Sequence, residues 1–243
     1  MSEQSKRVAL VTGGNRSLGF LLATDLAKRG YHVVIAARSS KNGDEAVAKI
    51  KAADASASVE AMALDVSSLA SVRAFVAAFL ARGLRLDVLV NNAGIMTAAD
   101  EPMHKTVDGL EATFATNHVG SALLSLLLLE KLRASTPARI VNIASRAHMG
   151  FPGMGGPAQF DFDNVDGAKG FAGVEAYKNS KLAMLWFNYE LARRLPDKSV
   201  TVNAVCPGFV PETAGEHAKG FQRFLFKHVL THVPGAHPAG EAA

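Results

Sequence analysis

Tyr177 and Lys181 stand four residues apart in the run Tyr177-Lys178-Asn179-Ser180-Lys181. On a helix, positions i and i+4 are neighbours on one face. A free phenol titrates near ~10, too high for a good base at neutral pH. A lysine ammonium at ~5 Å, with an effective dielectric of ~20, favours the phenolate by about 3 kcal/mol. That is about two pKa units, enough to make the phenol a usable proton donor and acceptor. The plainer alternative is an amphipathic helix face whose polar tips reach water. Ser145 closes the apolar run that starts at Ile140. A serine at a strand end can donate a hydrogen bond to a carbonyl oxygen, because ligands of open parallel sheets bind outside the carboxyl ends of the strands. Its plainer alternative is a turn or cap serine.

The run Thr12-Gly13-Gly14-Asn15-Arg16-Ser17-Leu18-Gly19 follows an apolar segment and precedes a helical pattern. Glycines there let backbone N–H groups approach a pyrophosphate, and the helix N-terminus adds partial positive charge. Gly13, Asn15, Arg16, Ser17, Leu18 and Gly19 are therefore candidate cofactor contacts, against the alternative of an ordinary tight turn. The second apolar segment ends in Ala36-Ala37-Arg38. A site for NAD usually has an acid there for the ribose 2′-OH, whereas an arginine suits a 2′-phosphate. With Arg16 in the glycine turn, Arg38 predicts NADP(H) in preference to NAD(H).

The elements that must carry these residues follow from hydrophobic period. Short apolar, β-branched runs predict strands over 8–11, 32–36, 59–64, 88–90, 139–143 and 200–205. Helical spacing predicts helices over 17–29, 44–51, 67–80 (with Ser67 as N-cap), 108–132 and 175–195. Alternation of the two predicts βαβ units, hence one Rossmann-type α/β domain with a doubly wound parallel sheet of about six strands and helices on both faces. The domain spans residues 1–243, with a core over 6–213 and a tail over 214–243. Phe221, Phe224, Leu225, His228, Val229 and His232 have helical spacing in that tail. They predict a lid over an apolar substrate, with a core-packing helix as the alternative.

Composition narrows the function. The 243 residues carry 26 Lys+Arg against 22 Asp+Glu with no basic run, so no nucleic-acid partner is expected. One cysteine, Cys206, forbids an internal disulfide and argues against a thiolate metal site; the eight histidines show no paired-ligand spacing, and no metal is expected. Cys206 itself reads as a buried small hydrophobe. No run approaches the ~20 apolar residues of a membrane span. The polar N-terminus lacks the apolar stretch of a signal peptide. The expected location is the cytoplasm, and membrane-surface contact is not expected.

Taken in order, Thr12–Gly19, Asn91-Asn92-Ala93-Gly94, Asn117, Ser145, Tyr177 with Lys181, and Pro207-Gly208 resemble the short-chain dehydrogenase/reductase family, from about residue 6 to residue 213. The long Ser145–Tyr177 interval, with Phe160-Asp161-Phe162-Asp163, is similar to the subset containing retinol dehydrogenases, WW-domain oxidoreductases and protochlorophyllide reductases. The resemblance implies hydride transfer between nicotinamide and the carbonyl or alcohol of an apolar small molecule. It assigns Tyr177 as acid/base, Lys181 as its modulator and ribose ligand, Ser145 as the carbonyl polariser, and Asn117 as holder of a water relaying protons to Lys181. It places Asp65 and Val66 at the adenine, Asn91, Ala93 and Gly94 where they line the cofactor and stabilise the sheet, and Pro207, Gly208 and Val210 beside the nicotinamide. Plainer roles stand beside these: a loop cap for Asn91, a helix-kink residue for Asn117, a turn acid for Asp65. Ser17 departs from the family's usual middle glycine. Only about 35 residues follow Pro207, which bears against the family's substrate closure and usual oligomer contact and keeps a non-catalytic NADP-binding interaction protein as an alternative reading. A C=C reductase is a further alternative, and a homo-oligomer stays open.

Overall fold

The computed structural model describes residues 6–98, 101–150, 155–195 and 199–208. Six parallel strands, β1 (Val8–Thr12), β2 (His32–Ala37), β3 (Val59–Ala63), β4 (Val88–Asn91), β5 (Ala138–Ile143) and β6 (Val200–Val205), form one sheet of order β3-β2-β1-β4-β5-β6. The helices are α1 (Ser17–Lys28), α2 (Ser40–Ala53), α3 (Leu69–Ala81), α4 (Ala112–Phe114), α5 (Gly120–Leu127), α6 (Leu129–Ala134) and α7 (Gly173–Arg194). This is the expected doubly wound Rossmann-type fold.

Strand alternation sorts the core into two layers. Val8 and Leu10 face one side with Phe75 and Phe79 of α3, Leu124 of α5, Leu132 of α6 and Leu191 of α7. Ala9 and Val11 face the other side with Ala23 and Ala27 of α1 and Ala46 and Ile50 of α2. A central parallel strand is buried on both faces, which is why β1 and β2 read as continuous apolar runs. The small residues of α1 and α2 let those helices lie close on the sheet.

Two expected helices differ. The segment starting at 108 does not begin a helix there: the Glu111 carboxylate accepts from the N–H groups of Thr113 and Phe114 at 2.8 and 2.6 Å and caps α4. Asp108 instead reaches 39 residues back to accept from Leu69 N at 2.8 Å, at the start of α3. The rest of the expected helix is divided by a π turn, Ala115–Val119, and by a break at Leu128. Ser67 is not the cap of α3. Ser68 accepts from Ser71 N at 3.3 Å, while the Ser67 N–H and O–H both go to Asp65 Oδ1 at 2.9 and 2.6 Å.

Candidate active site

The chain leaves β1 and β4 in opposite directions, opening a crevice at their carboxyl ends. Thr12 forms its floor. Its hydroxyl accepts from Asn92 N and Ala93 N, both at 3.0 Å, and donates to Val90 O at 3.3 Å. Asn92 Nδ2 returns a bond to Thr12 O at 2.9 Å. Gly13 adopts φ 64° and Gly19 is buried in the first turn of α1. A Cβ at Gly19 would overlap Gly13 O and come within 2.5 Å of Asn92 Nδ2, so the helix start lies directly on the two loops.

This turn fits a dinucleotide's pyrophosphate. The N-caps of α2 and α3 use serine side chains, whereas α1 has no side-chain cap at Arg16 and starts against the loops after β1 and β4. Ser17 holds φ 49°, the left-handed region that a side chain normally avoids. Asn15 is half-buried; Leu18 is buried and packs inward. Arg16 and Arg38 are both exposed, one at the N-cap of α1 and the other directly after β2. Asp65 and Val66 follow β3. Asp65 commits one carboxylate oxygen to Ser67, the turn role foreseen as its alternative. A Cβ at Gly120 would overlap Val66 O, so α5 meets that loop backbone to backbone.

Asn91 is corrected. Alternation places it with Leu89 on the helix-covered face, and its amide bonds Ser125 Oγ and Asn142 Oδ1, both at 2.8 Å. Asn142 Nδ2 continues to Asn188 Oδ1 at 3.0 Å. The Asn91 side chain therefore binds sheet to helices and is turned away from the crevice. Ala93 and Gly94 do border it. Pro207 and Gly208 follow β6, Gly208 with φ 80°. Val210 and the tail from residue 214 lie outside the described residues.

The proton-handling groups meet beside Gly94. A Cβ built there would lie 3.2 Å from Asn117 Oδ1 and 3.7 Å from Lys181 Nζ. Lys181 is buried, donates to Ile143 O at 2.7 Å and has its Nζ 5.7 Å from the Tyr177 ring centre. Ser145 lies two residues beyond β5, caps the 3₁₀ turn Arg146–Met149 through Ala147 N at 3.2 Å, and hydrogen-bonds the Tyr177 phenol. Its cap role and its place at the phenol coexist.

The electrostatics differ from the sequence argument. Burial pushes the Tyr177 phenol above its ordinary value, against the bond from Ser145 that acts to lower it. Burial likewise brings the Lys181 ammonium down to about 8. A half-solvated helix face would let the ammonium dominate; here both groups are desolvated and the lysine is tied to a strand carbonyl. Cys206 opposes the expectation of burial: it is exposed after β6, accepts from Arg146 N at 3.3 Å, and bears electrostatically on both Tyr177 and Lys181.

Three contributors escaped sequence reasoning. Thr12 and Asn92 were visible only as parts of motifs, and their mutual bonds span 80 residues. Ser180 lies inside the Tyr–Lys run but its partner is in the π turn. Residues 155–172 also lie along α7: the Phe160 ring centre is 5.1 Å from Trp186 and 5.9 Å from Phe114.

A doubly wound parallel sheet with a glycine turn at its switch point is the arrangement of the dinucleotide-binding class of α/β domains, and here a Tyr–Lys pair and a strand-end serine stand beside it. The family model described as short chain dehydrogenase matches residues 7–156 and 164–221, and the chain belongs to that family. It is 42% identical to mouse retinol dehydrogenase 12 over 204 residues, covering 84% of this chain and 61% of that protein. It is 40% identical to human retinol dehydrogenase 11 over 220 residues, covering 90% of this chain and 66% of that protein. The chain thus spans a little under two thirds of the length of these relatives. Among solved structures, a variant of actinorhodin polyketide ketoreductase with NADPH is similar at a TM-score of 0.73 and 27% identity, over 100% of this chain and 89% of that one.

Proposed function

We propose that the chain is an NADP(H)-dependent reductase of apolar aldehydes and ketones, with the reverse alcohol oxidation open to the same groups. The observation that carries this reading is the convergence of Ser145, Tyr177, Lys181 and Asn117 at the mouth of the crevice beside Gly94. The turn Thr12–Gly19 and the loop Ala93-Gly94 would hold a reduced nicotinamide cofactor, whose chemistry would be hydride donation to a carbonyl carbon. Ser145 and Tyr177 hydrogen-bond the carbonyl oxygen, and Tyr177 passes its proton to the oxygen as negative charge develops. The upward shift of the phenol keeps it protonated at neutral pH, the form that reduction requires. Lys181 stabilises the phenolate left behind, and a proton reaching Lys181 through a water held at Asn117 resets the phenol. Arg38 and Arg16 flank the end of β2 and the start of α1, where they would hold a 2′-phosphate. The NADPH complex of the similar ketoreductase supports the choice of cofactor, and the retinol dehydrogenase relatives support an apolar substrate.

NADPH oxidation against a panel of apolar aldehydes, ketones and enones tests this reading, run beside Tyr177→Phe. We expect carbonyl turnover that falls about 10²–10⁴-fold in the variant while cofactor binding persists. Comparable turnover in the variant removes the acid/base role, and turnover of enones alone moves the activity to C=C bonds.

A further inference from the structure

We infer that Ser180 is a positioning residue for proton transfer, fixing Asn117 and the Tyr177 turn of α7 against each other. This rests on the reading of the site given above and extends it to a residue that touches neither substrate nor cofactor.

Ser180 is fully buried. Its hydroxyl donates to Tyr177 O at 2.7 Å and accepts from Asn117 Nδ2 at 3.0 Å. Asn117 belongs to the π turn, and its amide makes a two-way clasp on the loop after β4: Oδ1 accepts from Ile95 N at 2.8 Å and Nδ2 donates to Ile95 O at 2.8 Å. The Ile95 pair decides which end of the amide is oxygen and which is nitrogen. Both Nδ2 hydrogens are then engaged, one by Ile95 and one by Ser180. The chain of bonds runs Ile95–Asn117–Ser180–Tyr177, and the next residue after Ser180 is Lys181.

The geometry makes the link matter. A π turn carries an extra residue per turn relative to an α-helix, so the direction of Asn117 is not dictated by α-helical register. Ser180 supplies that direction from outside. On its own helix the hydroxyl bonds back three residues, a pattern that gives the backbone an added partner and biases its local bend. That bend lies between Tyr177 and Lys181, the two groups whose spacing the chemistry uses. Deeper in the fold, Asn142 and Asn188 tie β5 to α7 independently, at 3.0 Å. Loss of the Ser180 hydroxyl therefore leaves the helix docked and loosens only its catalytic end.

Removing the hydroxyl leaves one buried Asn117 N–H without a partner, which costs more than the net value of a satisfied bond. The test uses the 243-residue chain carrying Ser180→Ala, with Ser180→Thr as the variant that keeps the hydroxyl. In Ser180→Ala we expect kcat for carbonyl reduction to fall about 10- to 50-fold, the KM for NADPH to stay within about 2-fold, and the kcat–pH profile to shift. Ser180→Thr should recover most of the loss. A second readout needs no turnover: amide exchange at Ile95 should accelerate about 10-fold in Ser180→Ala while exchange along β5 is unchanged. Unchanged kcat, pH profile and Ile95 exchange in Ser180→Ala would overturn the inference. So would parallel losses of kcat and NADPH affinity with an unshifted profile, which mark a general structural role. If the unaltered chain turns over no carbonyl at all, the functional reading fails, and the Ile95 exchange alone decides whether Ser180 holds the clasp.

Discussion

Arg38 and Ser17 carry the residue-scale predictions. Among the described residues Arg38 forms no ion pair, and it stands exposed directly after β2. A charge-assisted contact to a phosphate contributes about 1.5–3 kcal/mol. Arg38→Ala should therefore weaken NADPH binding about 10- to 100-fold and NADH binding by no more than about 2-fold. Fluorescence titration of both nucleotides reads this directly, and equal losses would remove the 2′-phosphate role. Ser17 is strained by its left-handed backbone: the conformation costs roughly 1–2 kcal/mol for an L side chain, against about 0.5–1 kcal/mol of extra chain entropy lost by glycine. The first term is larger, so Ser17→Gly should stabilise the chain by about 0.5–1 kcal/mol in urea unfolding. A destabilised variant would show that the Ser17 side chain contributes more than its backbone strain removes. The residue types at these positions were legible in the sequence, because type and spacing define a motif. The positive φ was not, since no local signal distinguishes this serine from any other in a turn.

The π turn sets the element-scale behaviour. It places His118 between Phe114, with ring centres 5.2 Å apart, and Phe187 at 6.2 Å. Burial holds its imidazole down to about 4 from the usual 6.5, and Nδ1 has no partner among the described residues. The unfolded chain takes up a proton below about 6.5 that the native ring refuses until about 4. This contribution to stability is complete above about pH 6.5 and is lost as pH falls through that window, roughly 3 kcal/mol at full amplitude. Between about pH 7.5 and about pH 5 the chain should lose about 2 kcal/mol more than His118→Gln. Urea midpoints at the two pH values measure it, and equal losses in the two proteins would show that the native ring takes up its proton as readily as the unfolded one. At this scale the strands were legible and the helix over 108–132 was not. Strands such as β6, expected and found over Val200–Val205, announce themselves by runs rich in β-branched residues. Helix starts depend on partners distant in sequence: Asp108 is bonded to Leu69, so Glu111 caps α4 instead.

For the whole molecule, the strand order β3-β2-β1-β4-β5-β6 puts the crevice at the carboxyl ends of the central strands β1 and β4 and leaves both faces sealed by helices. Ligand bound there joins the loops after β1, β2, β3 and β4, so it should stabilise the fold as a unit. At about 100 times Kd, NADPH adds about 2.7 kcal/mol, and a chain of this size gains about 2–4 °C per kcal/mol. Tm should rise by about 5–10 °C with NADPH and by less with NADH at the same concentration. A Tm indifferent to both nucleotides would remove the dinucleotide site. By itself the sequence determined the alternation of strands and helices, the glycine turn and the order of the reactive residues, because hydrophobic period and motif spacing are properties of neighbouring positions. Only the tertiary structure decided that Asn91 faces the interior, that Ser180 and Asn117 meet across 63 residues, and that Tyr177 is pushed up rather than down. Each of these depends on burial and on partners brought together by packing, and desolvation cannot be read from a chain until its surroundings exist.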